Sequence, residues 1–447
     1  MQFQIPSQPA LVLGKLAAGG YRAHLVGGCV RDELLGRTPR DWDVTTDALP
    51  EETARTFAGI PVIPTGMKHG TVTVLAGGTP VEVTTYRVDG AYSDGRHPDS
   101  VRFTRSLAED LARRDFTVNA LAYSEADGLV DLFGGKEDLA AGVIRCVGDP
   151  DDRFREDSLR VLRALRLCSE LGFTLESKTA AAALRNRALL ERVSAERIRG
   201  EFTRLLCGKE AASVLRRFRE IAAVFVPEIR PAFGFDQRNP HHAYDVWEHT
   251  LRALEAVEPE PVLRLTMFLH DLGKPACFSL DRKGIGHFYG HPQKSAELAG
   301  EILARLKYDT RTRKTVALLV ARHGLPILPD ERCLRRRLNM MGEADLRLLV
   351  KIQEADAKGK GVSNSAYLAG LAKVPAILDR MLEEQQCFSL RGLAVDGDDL
   401  AAAGVPVGPE IGRILRVLLG RVLDGSLPNT REALLESARL QKDETKR

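Results

Sequence analysis

Two aspartates one residue apart, Asp41 and Asp43 in Arg40-Asp-Trp-Asp-Val-Thr45, follow the run Leu25-Val-Gly-Gly-Cys-Val-Arg-Asp32. On a strand, side chains alternate, so both carboxylates project from one face, about 7 Å apart along the backbone. Carboxylates forced together repel, and a divalent cation removes that penalty. Two Mg2+ ions held there activate an attacking hydroxyl and stabilise a leaving pyrophosphate. Gly27 and Gly28 let backbone N–H groups approach phosphate oxygens at a helix start, and Arg31 adds charge. Taken alone, a D-x-D is most often an exposed, charged strand; joined to G-G-x-V-R-D it points to a metal-and-triphosphate site. Glu82, in Val81-Glu-Val-Thr-Thr-Tyr-Arg87, is either a third acidic neighbour or, more ordinarily, a plain strand glutamate. The absence of G-x-x-x-x-G-K-[ST] and G-x-G-x-x-G argues against P-loop and Rossmann chemistry.

Such groups need rigid support. Short apolar, β-branched runs predict strands at Ala23–Val26, Trp42–Thr45, Thr71–Leu75 and Val81–Thr85, with a helix starting near Val30. Gly90–Pro98 reads as a mobile loop. Beyond Asp149-Pro150 the strand signal fades, and Ser158–Leu171, Ala180–Leu190 and Ala195–Leu206 carry helical spacing. A histidine-bearing helical segment runs from about His241 to Lys360, followed by a smaller helical end. A chain of 447 residues is too long for one core and predicts about three domains. Its net charge of +3 makes it no polycation. Between Arg163 and Glu220, however, 13 Lys/Arg face 7 Asp/Glu, a surface that suits a phosphate backbone or is simply a solvated helix face. The seven cysteines are scattered with no C-x-x-C, as in reduced cytosolic proteins. No apolar run approaches membrane-spanning length, and a cytoplasmic location is expected.

The glycine–aspartate segments resemble those of the class II CCA-adding enzymes and bacterial poly(A) polymerases, nucleotidyltransferases of the polymerase-β superfamily. The resemblance implies that Asp41 and Asp43 hold the catalytic metals and that Gly28 and Arg31 contact the triphosphate. Arg113-Arg-Asp-Phe-Thr-Val-Asn-Ala120 resembles the family's sugar-recognition motif, which implies ribose contacts for Arg114 and Asp115; read blindly, R-R-D is equally a helix-end cluster. Arg153-Phe-Arg-Glu-Asp-Ser-Leu-Arg160 resembles the nucleotide-selecting E-D-x-x-R helix. Asp157 and Arg160, one turn apart, then present an acceptor and a donor fork, or else an ordinary i,i+3 ion pair. Cytosine and adenine share an amino group beside an unprotonated ring nitrogen, whereas uracil and guanine do not, so this pair takes C or A. Arg163 and Arg166 align with arginines that contact nucleotide or RNA. Steps of three rotate back by about 60°, which leaves Arg166 nearly opposite Asp157 and favours Arg163. Ser194-Ala-Glu-Arg-Ile-Arg-Gly-Glu201 resembles the motif bracing this helix, with Glu196 and Glu201 as anchors for arginines.

His249, His270-Asp271 and Asp356 have the order of the HD phosphohydrolase superfamily, with Phe268-Leu-His-Asp-Leu-Gly-Lys-Pro275 closest to its hallmark. His291 and His323 are further candidate ligands. Six of the ten histidines fall between His241 and His291. Imidazole with carboxylate suits a second divalent metal of unspecified identity, serving either hydrolysis or a helical scaffold.

Together these imply an α+β chain: a nucleotidyltransferase head over residues 1–145, a helical neck over 146–230, an HD-type helical body over 231–375 and a helical tail over 376–447. The resemblance implies addition of C, C and A from CTP and ATP to the 3′ end of tRNA with Mg2+, and no membrane partner. The family's flexible loop tied to final A addition, here Arg87–Val101, is complete, which favours CCA over CC-only addition. Poly(A) polymerase, CC-only and A-only enzymes, and an HD phosphohydrolase without transferase activity, are the alternatives.

Overall fold

The computed structural model describes residues 3–90, 100–384 and 386–444; the predicted loop lies, at 91–99, outside the described residues. The chain divides into two compact units, Met1–Glu228 with Arg305–Lys307, and Ile229–Ala304 with Tyr308–Arg447.

In the first unit the β-branched runs form a mixed sheet. Among the described residues it has seven strands, in the order Val62–Ile63, Thr71–Ala76, Thr79–Thr85, Asp43–Thr46, Ala23–Val26, Leu121–Ser124 and Gly128–Asp131. Asp43–Thr46 runs antiparallel to Ala23–Val26 and parallel to Thr79–Thr85. The parallel register pairs Asp43 with Glu82, and residues in register project to the same face. The strand begins at Asp43, one residue later than its composition suggests, so Asp41 lies in the irregular segment just ahead of it. The helix Ser7–Ala18 buries Val12 and Leu16 against the strands Asp43–Thr46, Thr71–Ala76 and Thr79–Thr85. Each such side chain contributes about 1.5–3 kcal/mol through lost apolar surface.

The neck is helical, with two differences from expectation. Helix Pro150–Glu156 starts from Asp149, whose carboxylate accepts from the Asp151 and Asp152 N–H groups, with Pro150 at the first position. It stops at Asp157, which is extended (φ −133°, ψ 103°), and Leu159–Leu171 begins a new helix. Asp157 Oδ1 accepts the Leu159 N–H at 3.1 Å. An aspartate offered a free N–H two residues on breaks a helix in favour of capping the next one. Asp157 and Arg160 therefore flank a helix start instead of sharing one helix. The stretch predicted as a helix over Ala180–Leu190 likewise divides, into helix Ser177–Arg185 and a 3-10 segment Arg187–Arg192. Leu159–Leu171 packs on Ala195–Leu206 and Ala211–Phe225, burying Leu162, Leu165, Phe202 and Leu206.

The second unit is built from helices, among them Val246–Ala256, Pro261–Leu269, His291–Arg305, Thr310–Arg322 and Glu331–Gly359. The last is broken at Gly342 (φ 77°, ψ 171°), a conformation that glycine alone reaches easily. Near the chain end, Leu400, Ile414, Leu418, Leu434 and Ala438 form a separate small core. None of the seven cysteines is in a disulfide. Among the described residues no helix is long and apolar enough to cross a membrane.

Candidate active site and a buried histidine cluster

Gly27 leaves the strand Ala23–Val26 with φ 81° and ψ −128° and delivers the chain into helix Gly28–Leu34. A side chain at Gly27 would be strained by that φ, and its Cβ would lie 3.2 Å from Arg114 Nη1. The glycine thus allows the turn and leaves room for the Arg114 guanidinium. Arg31, three residues into the helix, is buried. Its Nη1 donates to Asn119 Oδ1 at 2.7 Å, and its Nε and Nη2 to Asp32 Oδ1 at 2.9 and 2.8 Å.

Asp43 is half-buried, with Asp41 and Glu82 exposed. Burial, then repulsion from Asp41 and Glu82, pushes the Asp43 carboxyl up to about 6, while Arg114 pulls the other way. Asp41, Asp43 and Glu82 therefore form one acidic neighbourhood, and among the described residues Arg114 is the cation acting on Asp43. The parallel pairing that brings Glu82 there is a long-range contact which alternation alone leaves undecided.

Asp115 is buried and spends its oxygens on protein. Oδ1 accepts the Phe116 N–H at 2.8 Å and the Asn119 amide at 3.1 Å, and Oδ2 pairs with Arg163 Nη2 at 2.8 Å. Burial would raise its carboxyl, but Arg163 and then Arg160 outweigh it and hold it at about 2. The Arg160 and Asp157 side chains do not pair with each other, although the Arg160 N–H donates to the Asp157 carbonyl at 2.9 Å. Arg160 donates to Glu156 Oε2 at 2.7 Å and to the carbonyls of Arg153 and Arg113 at 3.3 and 3.2 Å. Asp157 Oδ2 instead accepts from Arg197 Nη2 at 2.8 Å. Arg166, buried, is held by Glu170 Oε2 at 2.6 Å and by Glu201. Arg197 and Glu201, both in the segment expected to brace this helix, make those contacts; Glu201 was the expected anchor and Arg197 was not singled out.

The second unit contains a different cluster. His249 and His270, both fully buried, bring their Nε2 atoms to 3.2 Å from each other. Asp271 Oδ2 lies 3.1 Å from each of them, and Asp356 Oδ1 lies 3.0 Å from His249. On the other side of the same aspartate, Oδ1 lies 3.4 Å from His291 Nε2 and 3.6 Å from His323 Nε2. Among the described residues, His249, His270 and Asp271 form one trio with ligand atoms within 4.8 Å of each other, and Asp271, His291 and His323 form a second. The Nδ1 atoms of His270, His291 and His323 each lie 2.7 Å from a backbone carbonyl, of Met267, Phe288 and Val320. A proton on Nδ1 answers each carbonyl, which turns Nε2 to the cluster, where loss of any second proton would free its lone pair for a metal. Lys274 and Lys360 add cations, 2.7 Å from Asp271 and 2.9 Å from Asp356. Burial opposes ionisation of both carboxyls, yet the surrounding histidines and lysines hold them well below the usual range. His270, against its burial, is raised to about 9 by Asp271 and Asp356. The two lysines follow each aspartate at helical spacing, and that spacing was the signal available in the sequence.

Comparison with known proteins agrees with both halves of the chain being parts of one enzyme type. Residues 23–145 match the family described as the poly A polymerase head domain. Residues 172–233 match the probable RNA and SrmB-binding site of polymerase A, and 291–438 a putative tRNA nucleotidyltransferase domain 2. The chain is 34% identical over 438 residues to the CCA-adding enzyme of Lactobacillus delbrueckii subsp. bulgaricus, covering 97% of each. It is 36% identical over 428 residues to that of Lacticaseibacillus paracasei, covering 96% of this chain and 94% of the relative. Among solved structures it is similar to the Bacillus stearothermophilus CCA-adding enzyme in complex with CTP, at 30% identity and a TM-score of 0.74 over 98% of both chains. With an acidic head, a braced arginine-rich neck and similarity over nearly the whole length, the chain belongs to the CCA-adding enzymes of the poly(A) polymerase family of nucleotidyltransferases.

Proposed function

We propose that the chain adds C, C and A in turn to the 3′ end of tRNA from CTP and ATP, in the cytoplasm. One observation carries the chemistry: the register that pairs Asp43 with Glu82 while Asp41 also bears on Asp43. Carboxylate oxygens short of positive charge fit a hard divalent cation. Asp41, Asp43 and Glu82 would hold Mg2+, which when bound activates the tRNA hydroxyl and neutralises charge on the triphosphate. Gly28 and Arg31 receive the triphosphate, with Arg31 aimed in advance by Asn119 and Asp32. Arg114 faces the ribose. Asp115 holds Arg163 at the pocket through Oδ2, and that oxygen, with a single protein donor, keeps a lone pair for a ribose hydroxyl.

Base choice falls to Asp157 and Arg160. Each Asp157 oxygen keeps a lone pair free for an exocyclic amino group, and Arg160 retains N–H groups beyond its three protein acceptors for a ring nitrogen. Uracil and guanine would leave these groups facing their own kind, a mismatch that can reject a substrate by about 10⁴-fold. Arg166, locked between two glutamates, braces the neck.

Truncated tRNA, Mg2+ and each nucleoside triphosphate given singly test this reading. C incorporation from CTP and a final A from ATP are expected. Repeated A on many RNAs would instead mark a poly(A) polymerase, and C or A alone a CC-only or A-only enzyme.

A second reading rests on the shared aspartate of the histidine cluster. Its donor set, imidazole Nε2 atoms with carboxylates, fits transition metals better than Mg2+. His249, His270, Asp271 and Asp356 would hold one ion and His291 and His323, with Asp271, another. A metal bound there would supply a hydroxide for attack on a phosphoester, and Lys274 and Lys360 would help to hold the ester's negative charge. An enzyme with this activity alone would have no use for the head carboxylates. Elemental analysis of the purified protein, with a phosphodiesterase assay on His270→Ala and Asp271→Ala, decides it.

A further inference from the structure

Asp110 lies outside every motif considered so far, yet it is fully buried and ionised in the first unit. It belongs to helix Leu107–Ala112, just before the two arginines of the sugar-recognition segment. Its Oδ1 accepts from Arg113 Nη2 at 2.6 Å and Nε at 3.0 Å, and from the Arg87 backbone N–H at 3.4 Å. Its Oδ2 accepts from Thr45 Oγ1 at 3.1 Å and from Arg114 Nη2 at 3.4 Å. Thr45 is two residues beyond Asp43 on the catalytic strand. Arg113 also reaches Asp89 Oδ2 at 3.5 Å, and its carbonyl receives Arg160 of the neck at 3.2 Å. One carboxylate thus joins the strand of Asp43, the start of strand Arg87–Asp89 and the nucleotide-facing arginine.

Burying a carboxylate is costly unless it is paired and hydrogen-bonded. Here the pairing has a direction. Arg114, drawn back onto Asp110 by Nη2, lies with Nη1 against the space left open by Gly27. Its Nε is buried with no acceptor, and its charge is felt by Asp43. A buried guanidinium N–H without an acceptor, beside a carboxylate cluster, suits an oxygen of the bound nucleotide.

We propose that Asp110 is a positioning residue for nucleotide binding: it holds Arg114 by one oxygen and the catalytic strand by the hydroxyl of Thr45, and so sets the arginine against the ribose of the incoming CTP or ATP. The proposal rests on the assignment of Arg114 to the ribose. Asp110→Asn keeps the shape and removes the charge that holds the guanidinium.

The test compares Asp110→Asn, Arg114→Ala and the double variant, each checked for an intact melting transition, using CTP and dCTP on truncated tRNA. Asp110→Asn should raise KM for CTP about 10-fold with a smaller change in kcat, and lower the preference for CTP over dCTP about 10-fold. On the Arg114→Ala background the same substitution should change either quantity less than 2-fold, because the two act as a unit. If Arg114→Ala leaves the ribose preference intact, the ribose assignment fails and the proposal with it. If Arg114→Ala removes the preference but Asp110→Asn does not, the assignment stands and the proposal is overturned. Should Asp110→Asn not fold, Thr45→Val, which removes the hydroxyl tying the carboxylate to the strand, replaces it with the same expectations at about 3-fold.

Discussion

The head and the helical half each gather acidic side chains, and they treat the charge in opposite ways. Around Asp43, burial and then two neighbouring carboxylates push its own carboxyl up to about 6, against the pull of Arg114. Around Asp271 and Asp356 the neighbours are four imidazoles and two ammonium groups, and both carboxyls are held far down. The first cluster is exposed at Asp41 and Glu82, and on the proposed reading a cation that arrives with a nucleotide would complete it. The second is largely buried and already balanced, so a metal there would have to displace protons or a lysine. Like charges left uncompensated mark a place where the molecule expects a partner.

The largest effect should come from the head. Asp41→Ala or Asp43→Ala should lower C and A incorporation by about 1,000-fold or more, with the fold intact by circular dichroism. Appreciable turnover in either variant would end the metal assignment. In the helical half, Asp271→Ala should reduce affinity for a co-purified transition metal by about 100-fold, as loss of a ligand shared by two sites implies. CCA addition in that variant should be unchanged, and a parallel loss would show that the two clusters are not independent. Glu82→Gln should lower kcat about 10-fold; no change would return Glu82 to an ordinary strand residue.

The pH dependence follows from the sign of the Asp43 shift. On the proposed assignment the carboxylate form binds metal, so activity at limiting Mg2+ should fall as pH drops through about 6, and excess Mg2+ should move that limb to lower pH. A single limb unaffected by Mg2+ would point to another group. The smallest effects concern stability, and here the two carboxylates of the first unit should differ in sign. Asp43, raised in the folded state, weakens the fold once pH exceeds the range from 3.8 to about 6. Asp43→Asn should therefore stabilise metal-free protein at neutral pH by about 1 kcal/mol, measured by denaturant titration in chelator. Asp115, lowered from 3.8 to about 2, supplies stability that is present above pH 3.8 and lost as pH falls through that window. Asp115→Asn should weaken the fold at neutral pH by about 2 kcal/mol. Equal signs for the two would break the comparison.

Local chemistry made much of this legible from residues alone. A glycine pair before a strand-borne aspartate, apolar runs of period two, and helical spacing beyond residue 150 are all properties of near neighbours, and the strand Ala23–Val26 and helix Ala195–Leu206 fall where those periods place them. The histidines and aspartates of the second cluster were likewise visible as residue types that bind metals. Partner choice was not visible. Whether Glu82 faced Asp43 depended on a parallel pairing across a crossover, and whether Asp157 met Arg160 or Arg197 depended on how two helices packed. Asp110 read as one acidic residue among many until folding buried it beneath two arginines. Periodicity reports which side of an element a residue occupies, but the strength of a charged contact depends on distance and burial, and the folded chain alone sets those.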